Sequence, residues 1–254
     1  MRLAAAALLA AALAAAGLYA GRQGCFDPPL LRFARAMSAN DAASVGFARA
    51  LLADRQAAWA IPWFDEAVGW QFEPDALPDA IAIVQAMSAR GLPYMAGFDW
   101  KDGGENVADA FDSMLDHYGL PLPEPAERRA ILAEADRLGA DYTQIPILVA
   151  RYDAYFRKHG YVLAHLNTGS DAYQFVALPP ATARCWLGVN LKAEPGREYD
   201  DAVGVEEAVF QSGDYIAARM PQSRGLVPEK IRERPVPASA CLPWRAVVFP
   251  GRRP

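Results

Sequence analysis

The stretch His165–Phe175, HLNTGSDAYQF, sets a histidine, two hydroxyl residues and an aspartate around one glycine. A histidine facing a carboxylate can relay a proton and activate water, which is hydrolase chemistry. The same residues also make a tight hairpin turn, because Asn, Gly, Ser and Asp suit the conformations that a turn demands. Register separates the two readings. With a two-residue loop at Thr168-Gly169, His165 pairs with Ala172 and Asp171 with Leu166, so His165 and Asp171 point to opposite sides. With a three-residue loop that includes Ser170, His165 faces Tyr173 and joins the side of Asn167 and Asp171. Two-residue loops are the commoner hairpin type. The expectation is therefore structural: Asp171 accepts backbone N–H groups at the turn, and His165 occupies a more exposed position.

Asp99 and Lys101 form a second candidate pair, expected two residues apart on one side of a strand and followed by Gly103-Gly104 before a helix. A lysine beside a helix N-terminus can hold an anion. Asp102 and Glu105 already place negative charge there, and the spacing matches neither a phosphate loop nor a calcium loop. An ion pair and a capped helix account for the same residues. Trp59, Trp63 and Trp70 lie within twelve residues, and such a cluster could stack on a ligand, although aromatics more often anchor a core. His117 and His159 precede Gly119 and Gly160 and suit helix C-termini. No serine has a nucleophile-elbow context. No Cys/His spacing suggests zinc, and no cofactor is expected.

These residues need elements to position them. Ser38 with Asp41 looks like a capping pair, followed by Val45, Ala48, Leu51 and Leu52 at helical spacing. A helix starts at Pro78 and stops at Gly91. YMAGFDWK, residues 94–101, alternates as a strand with Tyr94, Ala96, Phe98 and Trp100 on one face. Val107, Ala110, Phe111, Met114, Leu115 and Tyr118 make the stripe of the next helix. A charged surface helix ends at Gly139. Another begins near Pro146 and buries Leu148, Val149, Tyr152, Tyr155 and Phe156. YVLAHL and DAYQFVAL then form a hairpin. After Pro179-Pro180 the pattern weakens, and eight prolines from Ala193 onward predict short strands, turns and an irregular tail.

The chain has 254 residues, 53% hydrophobic and 22% charged, enough to bury a large core. Its net charge of −5 gives no reason to expect a nucleic-acid partner. From Tyr215 to Pro254 eight basic residues face two acidic ones, so only that tail invites an anionic partner. Leu3–Ala20 is an uncharged run of 18 residues after Arg2, with small residues at Ala14-Ala15-Ala16. This is a secretory signal, or an anchor at the lower limit for crossing a bilayer. It predicts a periplasmic location, or one at the inner membrane facing the periplasm. Membrane association would run through residues 3–20 and the basic 215–254 tail. There are three cysteines. In an exported protein Cys185 and Cys241 are the pair to suspect of a disulfide, with Cys25 left free in the linker.

GFDWKDGGENVADAFDSML and ILVARYDAYFRKHGYVLAHLNTGSDAYQF, in that order, resemble the bacterial domain of unknown function 6630. Its members show a comparable strand ending in Asp-Trp-Lys and a helix leading into a Thr-Gly-containing hairpin. The resemblance covers roughly Leu92 to Leu191, leaving the Trp-rich stretch and the basic tail outside it. Ser170 stands where a second glycine is common. The resemblance implies a shared α+β fold and supplies no activity.

The resulting expectation is an α+β fold, several helices packed on a small sheet that includes the 161–178 hairpin. Residues 1–24 are the signal or anchor, 25–195 the α+β domain and 196–254 a Pro-rich extension with a basic tail. Two functions are compatible with these residues. One is a non-catalytic binding or accessory domain of the cell envelope, with Lys101, Trp59, Trp63 and Trp70 as candidate contacts. The other is a hydrolase using Asp99, His165 and Asp171.

Overall fold

The computed structural model describes residues 27–99, 101–138, 144–170, 172–192 and 201–208. Proline sets several helix starts, since its fixed φ and missing N–H cost nothing in a first turn. Thus α1 (Pro29–Met37) opens on Pro29 and α4 (Pro62–Ala67) on Pro62. Between them lie α2 (Ala42–Ala53) and the short α3 (Arg55–Trp59). Asp41 caps α2 by accepting both the Ser44 N–H and the Ser44 hydroxyl at 2.8 Å. The capping partner is therefore Ser44; Ser38 instead lies fully buried at the end of α1, ahead of Ala39 and Asn40, which both take positive φ. Next comes α5 (Asp79–Ala89), after which Gly91 at φ +57° ends the helix.

Strand β1 (Met95–Asp99) leads into α6 (Gly104–His117), α7 (Pro125–Leu138) and α8 (Gln144–Lys158). His117 and Lys158-His159 stand at helix ends closed by Gly119 and Gly160 at φ +63° and +82°. The hairpin β2 (Val162–Asn167) and β3 (Ala172–Leu178) follows. The weak pattern after Pro179 resolves into α9 (Pro180–Trp186), β4 (Asn190–Lys192) and β5 (Asp201–Glu207). A helix was not expected there; Pro180 at its first turn is its sequence signal.

The five strands form one antiparallel sheet in the order β1-β3-β2-β5-β4. Helices cover both faces. On one side Phe111 of α6 packs on Phe98 and Phe175 of the sheet and stacks at 5.0 Å on Tyr152 of α8. The opposite face buries Ala164, Leu166, Val176, Leu178, Val203 and Val205. Helices α1, α2 and α5 pack together there, and Phe33 of α1 meets Trp186 of α9 edge-on at 5.9 Å. Strands clad on both sides explain the nearly continuous apolar run in VALP and its neighbours. The expected α+β fold, helices on a sheet that contains the hairpin, is the fold observed.

Buried polar links tie the layers. Asp153 of α8 accepts the Leu163 N–H of β2 at 3.1 Å and the Arg157 guanidinium at 2.7 Å. Arg128 of α7 reaches Glu105, Asp109 and Asp112 of α6, and Asp112 also accepts the Tyr152 hydroxyl at 2.9 Å.

Candidate binding site

The hairpin register places the candidate residues. His165 lies opposite Phe175, and Val162 opposite Leu178. Both expected pairings, with Ala172 and with Tyr173, are therefore corrected. The ladder is displaced because the connection is longer than a two- or three-residue loop. Asn167 folds back on it, its Oδ1 accepting the Gly169 N–H at 2.9 Å, and Gly169 takes φ +71°. The Thr168 and Ser170 hydroxyls bond each other at 2.9 Å. Asp171 lies outside the described residues.

The register reverses the expected exposure of His165. Its ring is on the face packed by α6 and α8, with Phe175 at 5.2 Å and Tyr173 at 5.8 Å, and it is only 4% exposed. The sheet keeps Asp99 away from it. Asp99 pairs with Ala172, three residues and so an odd step from Phe175, and strand alternation therefore sends Asp99 to the opposite face. Asp99 is exposed and occupied by turn chemistry, accepting the Lys101 N–H at 3.0 Å while its own N–H donates to Asp102. Lys101 is part of that turn and not of the strand. Strand β1 ends one residue before Trp100, which lies outside the described residues.

The tryptophan cluster divides. Trp59 is buried, donates its indole N–H to the Phe72 carbonyl at 2.9 Å and packs on Phe47 and Phe64. Trp63 packs on Phe47 under the Arg90 guanidinium. These two are core anchors. Trp70, 72% exposed, is the one that faces outward. Cys185 is a partly buried free thiol; Cys25 and Cys241 lie outside the described residues, as do residues 1–24 and the basic tail.

The partner that His165 does have comes from β5. Glu206 pairs directly across from it, with Oε2 3.8 Å from His165 Nδ1, and the other carboxylate oxygen accepts the Asn167 amide at 3.1 Å. Burial pushes the Glu206 carboxyl up, but the facing His165 and the Asn167 amide more than offset this and hold it below its ordinary range. One row further along, Asn167 on β2, Gly204 on β5 and Asn190 on β4 are cross-strand neighbours and so share this face. Gly204 sits in the middle of the row under close neighbours: a Cβ there would meet a Glu206 carboxylate oxygen at 3.3 Å and Asn167 at 3.7 Å. Three buried atoms of this group make no hydrogen bond: His165 Nε2, Glu206 Oε2 and Asn190 Oδ1. Buried polar groups are rarely left so, and three on one sheet face are a concentration of unmet bonding capacity.

Glu206 and Asn190 were not among the sequence candidates. The signal for Glu206 was the alternation Val203-Gly204-Val205-Glu206, apolar on one face and polar on the other. Among the described residues no cluster of three or more His, Cys, Asp or Glu could hold a metal ion. No helix among them is long and apolar enough to cross a membrane.

Comparison with known proteins bears on the family alone. No curated protein and no solved structure matches the chain. A family model described as a domain of unknown function, DUF6630, matches residues 29–198. The match begins at α1, not near Leu92, so the Trp-rich stretch falls within it and only the start and the tail of the chain fall outside. Covering most of the chain, it establishes that this protein belongs to the DUF6630 family.

Proposed function

We propose that this protein is a non-catalytic binding or accessory domain of the bacterial cell envelope, with its site on the sheet face that carries His165, Glu206, Asn167 and Asn190. The observation that carries the reading is a set of three buried polar atoms without a hydrogen bond, His165 Nε2, Glu206 Oε2 and Asn190 Oδ1, on one sheet face. Polar groups held out of water cost free energy unless a partner satisfies them, and a ligand is such a partner. The Nδ1 of His165 faces Glu206, and the hairpin hydroxyls of Thr168 and Ser170 are bonded to one another. The hydrolase alternative needs Asp99 beside His165, and the strand register sets the two on opposite faces.

The envelope part of the proposal rests on sequence. The basic start, the apolar run Leu3–Ala20 and the small residues at 14–16 make an export signal or anchor, and the basic tail suits an anionic membrane surface.

Mass spectrometry of the full-length protein, purified gently from an envelope fraction, tests the binding reading. A small molecule released on denaturation, and lost from a Glu206→Gln variant, is the expected result. A hydrolytic activity that disappears in His165→Ala while the fold persists would overturn it.

A further inference from the structure

We propose that the outer edge of β1 is covered by this chain's own residues Trp244–Phe249, added as a short extra strand. The proposal is independent of the His165 face. In the strand order β1 is the last on its side of the sheet, with β3 as its neighbour. Both its ends are closed by local turns. The Met95 N–H donates to the Leu92 carbonyl, and the Asp99 N–H and carbonyl are both bonded to Asp102. These bonds point away from β3, and strand alternation turns the N–H and carbonyl of Gly97 the same way. Neither group of Gly97 meets a partner among the described residues. An open strand edge invites another strand, and proteins generally cover or blunt such edges.

A recess of about 390 Å³ lies along this edge, lined by Met87 and Ser88 of α5, Met95 and Gly97 of β1, and Ala110 and Ser113 of α6. Because α5 and α6 cover opposite faces of the sheet, a space that touches both helices and β1 stands beyond the free side of the strand. The same helices set β1 back, so the β1 of a second copy, flanked likewise, cannot come within bonding distance. A single extended segment can, and it would pair its backbone with Gly97. The borders are mainly acidic: Asp99 and Asp102 at the end of β1 and Asp116 one turn beyond Ser113, against Lys101. The neighbouring Arg90 is turned to Trp63 and Asp41. WRAVVF meets these demands. It is a β-branched and aromatic run bracketed by Pro243 and Pro250, with Arg245 inside it and Arg252 and Arg253 just beyond. Its tether is long enough. The 35 residues 209–243 span ~115 Å if extended, whereas β1 is three strand spacings, roughly 14 Å, from β5. The other basic residues of the tail, Arg219 to Arg234, stay available to an anionic membrane surface.

Amide hydrogen exchange of the full-length chain, read at the Gly97 N–H, tests it. Exchange should be roughly tenfold or more slower in the wild type than in the double variant Val247→Asp/Val248→Asp. Arg245→Glu/Arg252→Glu should also speed it, as should added salt in the wild type. A synthetic peptide of residues 243–254, added to the Val247→Asp/Val248→Asp chain, should restore the protection; the same peptide carrying both aspartates should not. Ala110→Arg, which puts bulk and positive charge on the α6 wall of the recess, should expose Gly97 while thermal melting stays cooperative. Equal Gly97 exchange in the wild type and the Val247→Asp/Val248→Asp chain would overturn the proposal. So would protection that rises with protein concentration, which assigns the edge to a second copy.

Discussion

Asp153 and Leu163 are joined across two layers, the carboxylate of α8 accepting the first buried N–H of β2 at 3.1 Å. Arg157 holds the same carboxylate, and Glu207 of β5 holds Arg157 in turn, so one aspartate fixes the helix, the hairpin and the fifth strand together. Asp153→Ala leaves a buried donor and a cation without their acceptor, and should destabilise by about 2–4 kcal/mol. Asp153→Asn keeps an oxygen for Leu163 and should cost less. Denaturant melts of the two variants give the comparison; equal losses would show that the link to Leu163 contributes nothing.

His165→Ala should be costly as well. The ring fills a fully enclosed place against Phe175 and Tyr173, so truncation leaves a cavity worth about 1.5–3 kcal/mol. A loss below about half a kcal/mol in chemical denaturation would fit an exposed histidine and contradict the register.

Glu206 gives a pH signature with a definite sign. Its folded-state proton affinity lies below the ordinary value near 4.5, so in acid the unfolded chain binds the extra proton. The stability it contributes is present above that ordinary value and drains away as pH falls towards the folded one. Asp153 and Glu207, both raised by burial, contribute in the opposite sense: theirs is greatest in acid and declines as pH rises. The difference between wild type and Glu206→Gln isolates the first effect. It should shrink steadily below pH 5 in melts across the acid range, and a constant difference would contradict the assignment.

Arg128 should matter less than its number of partners suggests. It meets three carboxylates, but Glu105 and Asp109 are mostly in solvent and only Asp112 is sheltered. Arg128→Met should cost about 1 kcal/mol, and less in high salt. A salt-independent loss measured by thermal melting would mean that packing of the arginine stem dominates.

Helices with a clear apolar stripe were legible in the sequence, because tertiary packing agrees with the local pattern in α6 and α8. The hairpin was legible as an element and illegible in register. Loop length, set by the bond between Asn167 and Gly169, decides which face His165 occupies, and turn composition alone suits several lengths. Glu206 was missed for a different reason. Its importance depends on β5 lying beside β2, a pairing between distant segments that no local periodicity encodes. Trp59 and Trp63 illustrate a third case: the residue types were plain, but whether each ring turns inward is fixed by Phe47 and Phe64 from neighbouring turns.

The sheet order has a consequence for synthesis and folding. Strand β5, the last described, enters the middle of the sheet between β2 and β4, and Asn167 meets Glu206 from 39 residues away. Closing so long a segment carries an entropic cost before any contact offsets it, so this pairing belongs to the slow part of folding. Until Glu207 has emerged from the ribosome, β2 presents an unpaired edge built of Leu163, Ala164 and Leu166. A nascent chain halted before residue 201 would thus hold a sticky hairpin edge and lack the pairing of His165 with Glu206, a form that chaperones recognise and that aggregates when they do not.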